Sequence, residues 1–160
     1  MNISTIKKTI VLEPKYLTAD INDHIFFELK RKYDRSCCEE YGLIIDIVSI
    51  VSYDNVINKD STSISFMITF LAHTIKPEIG MILSFIPSLI VQKGIFGKIY
   101  DNINIFVPEN SLKKLDYQFN ESNNSYENSN HIITNQTEIS VAIEQYKYDM
   151  IKYNCISQLV

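Results

Sequence analysis

Apolar side chains that recur at every second residue are the strongest constraint on the fold of this chain. Within Ile64–Phe70, isoleucine and phenylalanine occupy alternate positions. Successive side chains of a strand point to opposite faces, so this spacing predicts a strand with one face against a core. The β-branched run Gly42–Val51 predicts a second strand. Thr5–Leu12, which Pro14 ends, predicts a third.

One segment of the same region has helical spacing instead. Its apolar residues recur at every fourth position: Ile21, Ile25, Leu29 and Tyr33. This is the apolar stripe of an amphipathic helix that lies on a sheet. Because Thr18 is a suitable N-cap, we predict a helix from Thr18 to about Arg35. The polar stretch Tyr53–Ser61 predicts a loop, so the order strand, helix, strand, strand describes an α+β unit.

Residues near Lys76–Gly80 predict a domain boundary. Pro77 biases the preceding residue toward extended geometry and Gly80 permits a sharp bend, so both are candidate hinge residues. Short strands with closely spaced turn signals are predicted after it: Met81–Ile86, Ser88–Gln92, Gly94–Tyr100 and Ile103–Val107. This spacing is typical of a small OB- or S1-like β-barrel. We therefore predict an α+β protein, with an antiparallel sheet and one packed helix in residues 1–77 and the barrel in residues 78–160.

The segment Asn120–Asn130 differs from its surroundings because it contains almost no apolar side chain. Such a segment buries little surface, so we predict a flexible loop that joins two barrel strands. Glu138–Tyr146 and Met150–Val160 regain apolar content and are expected to close the barrel.

Charge and cysteine content argue against several classes of function. The formal net charge is −4, whereas dedicated nucleic-acid-binding proteins are usually basic, so any contact with nucleic acid should be local, weak or aided by a partner. Cys37, Cys38 and Cys155 form no CxxC pair and have no histidine at ligand spacing. We therefore expect reduced thiols, no metal site and no cofactor. We expect no membrane association, because no apolar run reaches the ~20 residues of a span and no signal-peptide pattern opens the chain.

Motifs of catalysis are missing from the sequence. It contains no phosphate-binding GxxxxGK[ST] loop, no HExxH pair and no evident set of nucleophile and base. The scattered His24, His73 and His131 are predicted to be surface residues. We therefore expect an accessory protein rather than an enzyme.

Several short motifs follow one another in a recognisable order. Those in the first half are Thr9–Leu17, Ser36–Ile44 with its cysteines and Tyr-Gly pair, and Ile64–Pro77. Those in the second half are Gly80, Gly94–Phe96 and Ile105–Val107. Together they resemble, over about Ile6–Leu112, the stalk subunit of the multisubunit RNA polymerases of archaea and eukaryotes. Leu12–Pro14 and Leu17–Ile21 are also similar to the small stalk-type subunit of poxvirus RNA polymerases.

The resemblance implies a non-catalytic polymerase subunit with a tip domain that docks on the core and an S1-like barrel that reaches toward emerging RNA. The implied docking residues are Pro14, Tyr16, Asn55, Val56, Ile57, Asn58, Lys59 and Asp60. The implied partners are the large subunits of a DNA-directed RNA polymerase, a second stalk subunit and, weakly, nascent RNA. Abundant isoleucine and asparagine indicate A/T-rich codons, which favours a large cytoplasmic DNA virus and a location in the virion and host cytoplasm.

An S1-like barrel would bind RNA through aromatic side chains for stacking and cations for phosphates. The candidates for an exposed binding face are Lys93, Lys98 and Tyr100, with Lys113 and Lys114 at its edge. Phe96 and Phe106 are flanked by core-type residues, so we predict that both pack in the core. From Glu78 to Val160, six lysines stand against nine acidic residues, a net charge of −3 that argues against strong RNA binding.

Three functions stay open at this point. The first is a stalk-like subunit of a viral DNA-dependent RNA polymerase, and the second is a free-standing S1/OB-type RNA-binding factor. The third is a viral interaction protein that keeps the fold but not the role, because a fold alone does not fix a function. The basic cluster Lys30–Lys32 with Arg35 is either a helix C-terminus stabilised by cations or a contact for an acidic surface of the polymerase.

Overall fold

The computed structural model describes residues 1–17, 19–57 and 63–160. The protein is rich in β-strands, has few helices, and divides into two compact units, Met1–Ile75 and Lys76–Val160. This division falls just before Pro77, the last residue of the predicted first domain. Among the described residues, no helix combines the length and the apolar character needed to cross a bilayer.

The N-terminal unit is a four-stranded antiparallel sheet with one helix. Its elements are β1 (Asn2–Leu12), α1 (Ile21–Tyr33), β2 (Cys37–Cys38), β3 (Gly42–Ile57) and β4 (Ile64–Ile75). The strand order is β1-β4-β3-β2. The three predicted strands are confirmed, although β1 and β3 are longer than their sequence patterns indicate.

Helix α1 packs its apolar stripe on one face of this sheet. Ile25 and Leu29 are fully buried, as the helical spacing predicts, and Ile21 and Tyr33 lie at the margin of the same core. The strands contribute the side chains of one face: Ile6, Ile10, Leu12, Ile44, Ile47, Phe66, Ile68, Phe70 and Ala72. The helix ends at Tyr33, before the predicted Arg35, which has a left-handed backbone (φ 63). The predicted N-cap, Thr18, lies outside the described residues.

The prediction that a loop begins at Tyr53 is wrong. Strand β3 continues to Ile57, and Asn55 pairs with Phe66 of β4. The ring of Tyr53 packs edge-on against that of Phe66, with 5.8 Å between centroids. Pairing with the strongly patterned β4 therefore holds polar residues in a strand, at an end of the sheet where Asp54 and Asn55 remain exposed to solvent.

The C-terminal unit contains nine strands and one short helix. They are β5 (Ile82–Phe85), β6 (Leu89–Val91), β7 (Gly94–Ile99), β8 (Ile103–Pro108), α2 (Glu109–Lys113), β9 (Gln118–Asn120), β10 (Ser125–Glu127), β11 (Ile132–Ile133), β12 (Ile139–Tyr148) and β13 (Tyr153–Leu159). The six strands predicted in this half, from β5 to β8 and at β12 and β13, are confirmed. Helix α2 was not predicted.

The main sheet of this unit has to curl. Its six strands are ordered β5-β12-β13-β8-β7-β6, and the parallel pair β13 and β8 is flanked by antiparallel neighbours. The two outermost strands, β5 and β6, are consecutive in sequence and are joined only by Ile86–Ser88. Strands lie ~4.8 Å apart, so a flat sheet would separate these edges by ~24 Å. The linker spans at most ~14 Å, so the sheet curves until its edges approach.

Phe85 fills the inside of this curved sheet against Gly97. Phe85 lies on β5 and Gly97 on β7, near opposite edges of the sheet, and a Cβ built on Gly97 would overlap the Phe85 ring. Phe85 is 4% exposed. The glycine therefore makes room for an aromatic side chain that packs across the interior.

The prediction of a flexible loop at Asn120–Asn130 is also wrong. Strands β9, β10 and β11 form a small antiparallel sheet in this region. Asparagine side chains form the turns, since Asn120 accepts from the Ser122 N–H and Asn128 from the N–H groups of Asn130 and His131. Tyr126 is only 1% exposed. Local hydrogen bonds and one buried aromatic ring order a segment that composition alone indicates to be disordered.

Replacing Gly97 with alanine should destabilise the C-terminal unit by about 3 kcal/mol, because the new methyl group overpacks the Phe85 ring. Gly80→Ala is the matched control. Gly80 has φ +87 but open space around it, so only a backbone cost of about 1 kcal/mol is expected.

Urea unfolding followed by circular dichroism measures both variants. Adding Phe85→Leu to Gly97→Ala should recover part of the loss, because the smaller side chain admits the methyl group. Equal effects of Gly97→Ala and Gly80→Ala, without rescue, would contradict the packing described above.

Candidate functional site

A groove of about 610 Å³ crosses the outer face of the curved sheet. It lies over β7, β8, β13 and β12, the four strands at the centre of the strand order. Its lining residues are Ser88, Phe96, Gly97, Lys98, Asn104, Ile105, Phe106, Gln145, Tyr146, Lys147, Asn154, Cys155 and Ile156. All of them belong to the C-terminal unit, so the groove is complete within it.

Strand register arranges most of these side chains in two parallel rows. The first, which we call the aromatic row, consists of the register partners Phe96, Phe106, Ile156 and Gln145. The second, which we call the polar row, consists of the register partners Lys98, Asn104, Asn154 and Lys147. Each row runs across the strands, so the groove has an apolar side and a cationic, amide-bearing side.

The aromatic row contradicts the prediction that Phe96 and Phe106 pack in the core. Their rings stack on each other with 4.6 Å between centroids and 26° between planes. Phe96 is 36% exposed, whereas its neighbour Ile95 is fully buried. Side chains alternate between the two faces of a strand, so the isoleucines fill the interior and the phenylalanines face outward. The sequence contains this signal, because strict alternation that starts with Ile95 facing inward places Phe96 on the outer face.

The predicted RNA-binding residues do not all meet at this groove. Lys98 lines it, on the polar row. Lys93 is exposed in the turn between β6 and β7, and Tyr100 is exposed in the turn after β7. Lys113 forms an ion pair with Glu109 at 2.8 Å, and Lys114 is exposed directly after the end of α2.

Lys147, Asn104 and Asn154 belong to the polar row but were not among the predicted residues. The alternation of side chains does not predict the position of Lys147, because β12 contains an irregularity between Ile143 and Gln145 that shifts its pairing with β13. A bulge of this kind changes which side chains face outward, and no local residue signals it. The two asparagines meet because β8 and β13 pair in parallel, and that pairing is visible only in the tertiary structure.

Charge is distributed unevenly over the C-terminal unit. None of the described residues that line the groove is acidic, and two are lysines. Carboxylates gather elsewhere, around the small sheet, where Glu109, Asp116, Glu121 and Glu127 line other depressions. The net charge of −3 therefore does not describe the local field at the groove.

A chain of side-chain hydrogen bonds runs from a turn into the polar row. Asp149, in the turn between β12 and β13, accepts from the backbone N–H groups of Lys152 at 2.7 Å and Ile151 at 3.0 Å. These bonds lower the pKa of the Asp149 carboxyl from its ordinary value. Asn154 donates from Nδ2 to Asp149 Oδ2 at 3.2 Å, and Asn104 donates from Nδ2 to Asn154 Oδ1 at 2.8 Å.

The predicted docking residues lie at one end of the N-terminal sheet, as far as the structure describes them. Pro14–Tyr16 forms a 3-10 turn directly after β1. Asn55 is in register with Phe66 and, through it, with Ile10 near the same end of β1. Val56 and Ile57 continue β3, and Asn58, Lys59 and Asp60 lie outside the described residues.

The ring of Tyr16 is held from two sides. It packs against His24 with 4.9 Å between centroids, and Lys15 Nζ lies 5.0 Å from its centroid. Of the other two histidines, His73 pairs with Asp46 on the N-terminal sheet and His131 is exposed in the C-terminal unit.

The basic cluster at the end of α1 has local partners. Arg31 pairs with Glu28 at 2.8 Å. Lys30 lies over the ring of Phe26 at 5.2 Å from its centroid, and Lys32 lies over Tyr33 at 5.3 Å. These contacts fit a helix end stabilised by its own side chains.

Tyr126 attaches the small sheet to the main one. Its hydroxyl donates to the carbonyl oxygen of Gln92 at 2.7 Å and lies 3.0 Å from that of Val91, at the turn between β6 and β7. Burial, and then the charge of Glu109, raise the pKa of Tyr126 to about 12. The phenol is therefore neutral at physiological pH and acts as a donor.

The thiols and acidic groups of the described residues form no metal centre. None of the three cysteines, all of which the structure describes, is joined in a disulfide. Burial raises the pKa of Cys155, which contributes to the groove floor, to about 11. In the part of the chain that the structure describes, no three His, Cys, Asp or Glu side chains converge as metal ligands do.

The chain matches no protein-family model and no curated protein.

Tyr126→Phe should destabilise the C-terminal unit by about 1–2 kcal/mol, because it removes a buried hydrogen-bond donor and leaves the Gln92 carbonyl without it. Tyr117→Phe is the control, because Tyr117 is 7% exposed and its hydroxyl has no partner among the described residues. Urea titrations at neutral pH should show almost no effect of the control.

The same variant has an expected pH dependence. The folded state raises the pKa of Tyr126 from 10.0 to about 12, so its stabilising effect is complete below pH 10 and is lost as the pH rises toward 12. The difference in unfolding free energy between the wild type and Tyr126→Phe should therefore shrink over that interval. A constant difference would contradict the role of the neutral phenol.

Proposed function

We propose that this protein is a non-catalytic, stalk-like subunit of a viral DNA-dependent RNA polymerase that contributes a surface for single-stranded RNA. The observation that carries the proposal is the groove, in which two stacked phenylalanines, the exposed Phe96 and the half-buried Phe106, lie beside a row that has a lysine at each end. The docking role rests on the resemblance of the sequence to polymerase stalk subunits, and so does the assignment to the virion and host cytoplasm.

We assign an OB- or S1-like arrangement to the C-terminal sheet. Strands β5 and β6 correspond to one first strand that Pro87 interrupts, and β7 and β8 complete a three-stranded meander. Strand β8 pairs in parallel with the last strand, β13, and β12 returns to pair with β5. In OB barrels the face of the second and third strands binds oligonucleotides, and these strands correspond to β7 and β8.

The two rows of the groove suit a flexible single strand. Bases of any sequence stack on aromatic rings, with about 1–3 kcal/mol for each stacked base. The exposed ammonium groups of Lys98 and Lys147 are positioned to bind phosphates, and the carboxylate of Asp149, which Asn154 contacts, is not among the described lining residues. Only two lysines contribute, so binding should be modest and sensitive to salt.

The N-terminal unit supplies the proposed docking surface. Pro14 and Tyr16 occupy an ordered turn, and Asn55 lies at the same end of the sheet. A turn supported by the packing of Tyr16 against His24 offers a pre-ordered aromatic contact to a large partner. Large polymerase subunits are the partners proposed for it, and a second stalk subunit is a further candidate.

A free-standing single-stranded RNA-binding factor is the second candidate function. The observation that favours it is that every residue lining the groove comes from the C-terminal unit, so RNA binding would need no polymerase. The two candidates differ in whether the protein is associated with the transcription machinery.

Affinity purification from the native source at moderate salt separates them. The stalk proposal expects the large polymerase subunits to co-purify with the tagged protein in near-equal amounts after nuclease treatment. Tyr16→Ala should reduce that recovery without loss of fold. Recovery of RNA without polymerase would instead support the free-standing factor, and recovery of neither would reject both.

Phe96→Ala should weaken the binding of a short, mixed-sequence oligoribonucleotide about tenfold or more, because it removes one stacking surface. Phe27→Ala is the matched control, since Phe27 is 65% exposed on α1 of the other unit. Fluorescence anisotropy at fixed low salt gives both affinities. An equal effect of the two substitutions would show that the aromatic row does not bind RNA.

A further inference from the structure

One atom of the polar row is left without a hydrogen bond. Asn104 Oδ1 is buried from water and has no hydrogen-bond partner among the described residues. A buried acceptor of this kind is costly, because it loses its water without gaining a donor in return. Asn104 lines the groove, so this cost falls at the proposed binding site.

The chain of hydrogen bonds that ends at Asn104 determines that the unpaired atom is the amide oxygen and not the amide nitrogen. Asp149 is ionised, because the N–H groups of Lys152 and Ile151 hold its carboxylate, and a carboxylate only accepts. Asn154 must therefore turn its Nδ2 toward Asp149 and its Oδ1 toward Asn104. Asn104 in turn must present Nδ2 to Asn154, which leaves Oδ1 as the unpaired atom.

We propose that Asn104 is a specificity-determining residue of this groove, whose Oδ1 accepts a hydrogen bond from the nucleotide that stacks on Phe96 and Phe106. This inference rests on the proposed binding of single-stranded RNA. Phe106 lies two residues from Asn104 on the same outer face of β8, so a ring stacked on the aromatic row lies beside the amide. An apolar site that holds one unpaired acceptor favours ligands that carry a donor.

Two groups of a ribonucleotide can supply that donor. One is an N–H group at the edge of the stacked base, and the other is the 2′-hydroxyl of the ribose, which DNA lacks. Water does not reach Oδ1 in the free protein, so the ligand has to displace a covering side chain. Lys98 is the register partner of Asn104 and is exposed, so its long side chain can move at little cost in packing.

The test is Asn104→Leu, which replaces the amide with an apolar group of similar volume. The intact protein and the variant are titrated, at one salt concentration, with an oligoribonucleotide and with an oligodeoxyribonucleotide of matching sequence. We expect the variant to bind the ribonucleotide about tenfold more weakly, as for the loss of one hydrogen bond at a desolvated site. Its thermal midpoint should change little, because removal of the unpaired buried acceptor offsets the loss of the hydrogen bond from Asn104 Nδ2 to Asn154 Oδ1.

Asn104→Ser provides a second variant whose small side chain fits an outward-facing strand position, and it should lose the same affinity. Asn110→Leu, at an exposed position on α2, is the matched control and should leave affinity unchanged. An equal loss for the two oligonucleotides would identify a base N–H as the donor. A loss confined to the ribonucleotide would identify the 2′-hydroxyl, and both results support the proposal.

Other outcomes overturn it. If the wild type binds the ribonucleotide and both folded Asn104 variants bind it equally well, Asn104 makes no bond to the ligand, although the groove remains a binding site. If the wild type binds neither oligonucleotide, the proposed RNA surface fails and this inference fails with it.

Discussion

The short connection between β5 and β6 is the constraint on which the C-terminal unit depends. These strands occupy opposite edges of a six-stranded sheet, yet only Ile86–Ser88 separate them. The sheet curves because the linker is too short for a flat arrangement, and Gly97 gives Phe85 room to pack across the interior. The inner face of the curved sheet is filled by every second side chain of β7 and β8. The side chains between them therefore point to the outer face. The stacked phenylalanines face outward for that reason, Phe96 exposed and Phe106 half-buried.

The groove also shows how an acidic chain can present a surface suited to an anion. Lysines occur at both ends of the polar row, and four carboxylates line depressions around the small sheet of β9, β10 and β11, although the carboxylate of Asp149 contacts Asn154 of the polar row. Screening in water limits the influence of exposed charges to about a Debye length, ~8 Å at physiological salt. A ligand in the groove therefore experiences mainly its nearest charges, and the net charge of the unit predicts little about its binding.

Polar residues have two different roles in this protein. In the segment Asn120–Asn130, asparagine side chains satisfy neighbouring backbone groups, and the buried Tyr126 attaches the resulting sheet to the turn after β6. In the polar row, by contrast, the hydrogen bonds from Asp149 through Asn154 fix an orientation that leaves Asn104 Oδ1 unpaired. The first arrangement stabilises the fold. The second lowers its stability locally in a way that a ligand can compensate, as binding sites often do.

The sequence by itself determined the elements whose signal is local. The alternation in Ile64–Phe70 and the four-residue spacing of Ile25 and Leu29 fixed a strand and a helix, because each pattern reports which face is buried. Tertiary pairing decided what local patterns do not contain: the extension of β3 beyond Tyr53, the order in Asn120–Asn130, and the meeting of Asn104 with Asn154. Those features depend on strand partners that are distant in sequence. The register of these strands, and the side of the sheet to which each side chain points, are set only when the sheet forms.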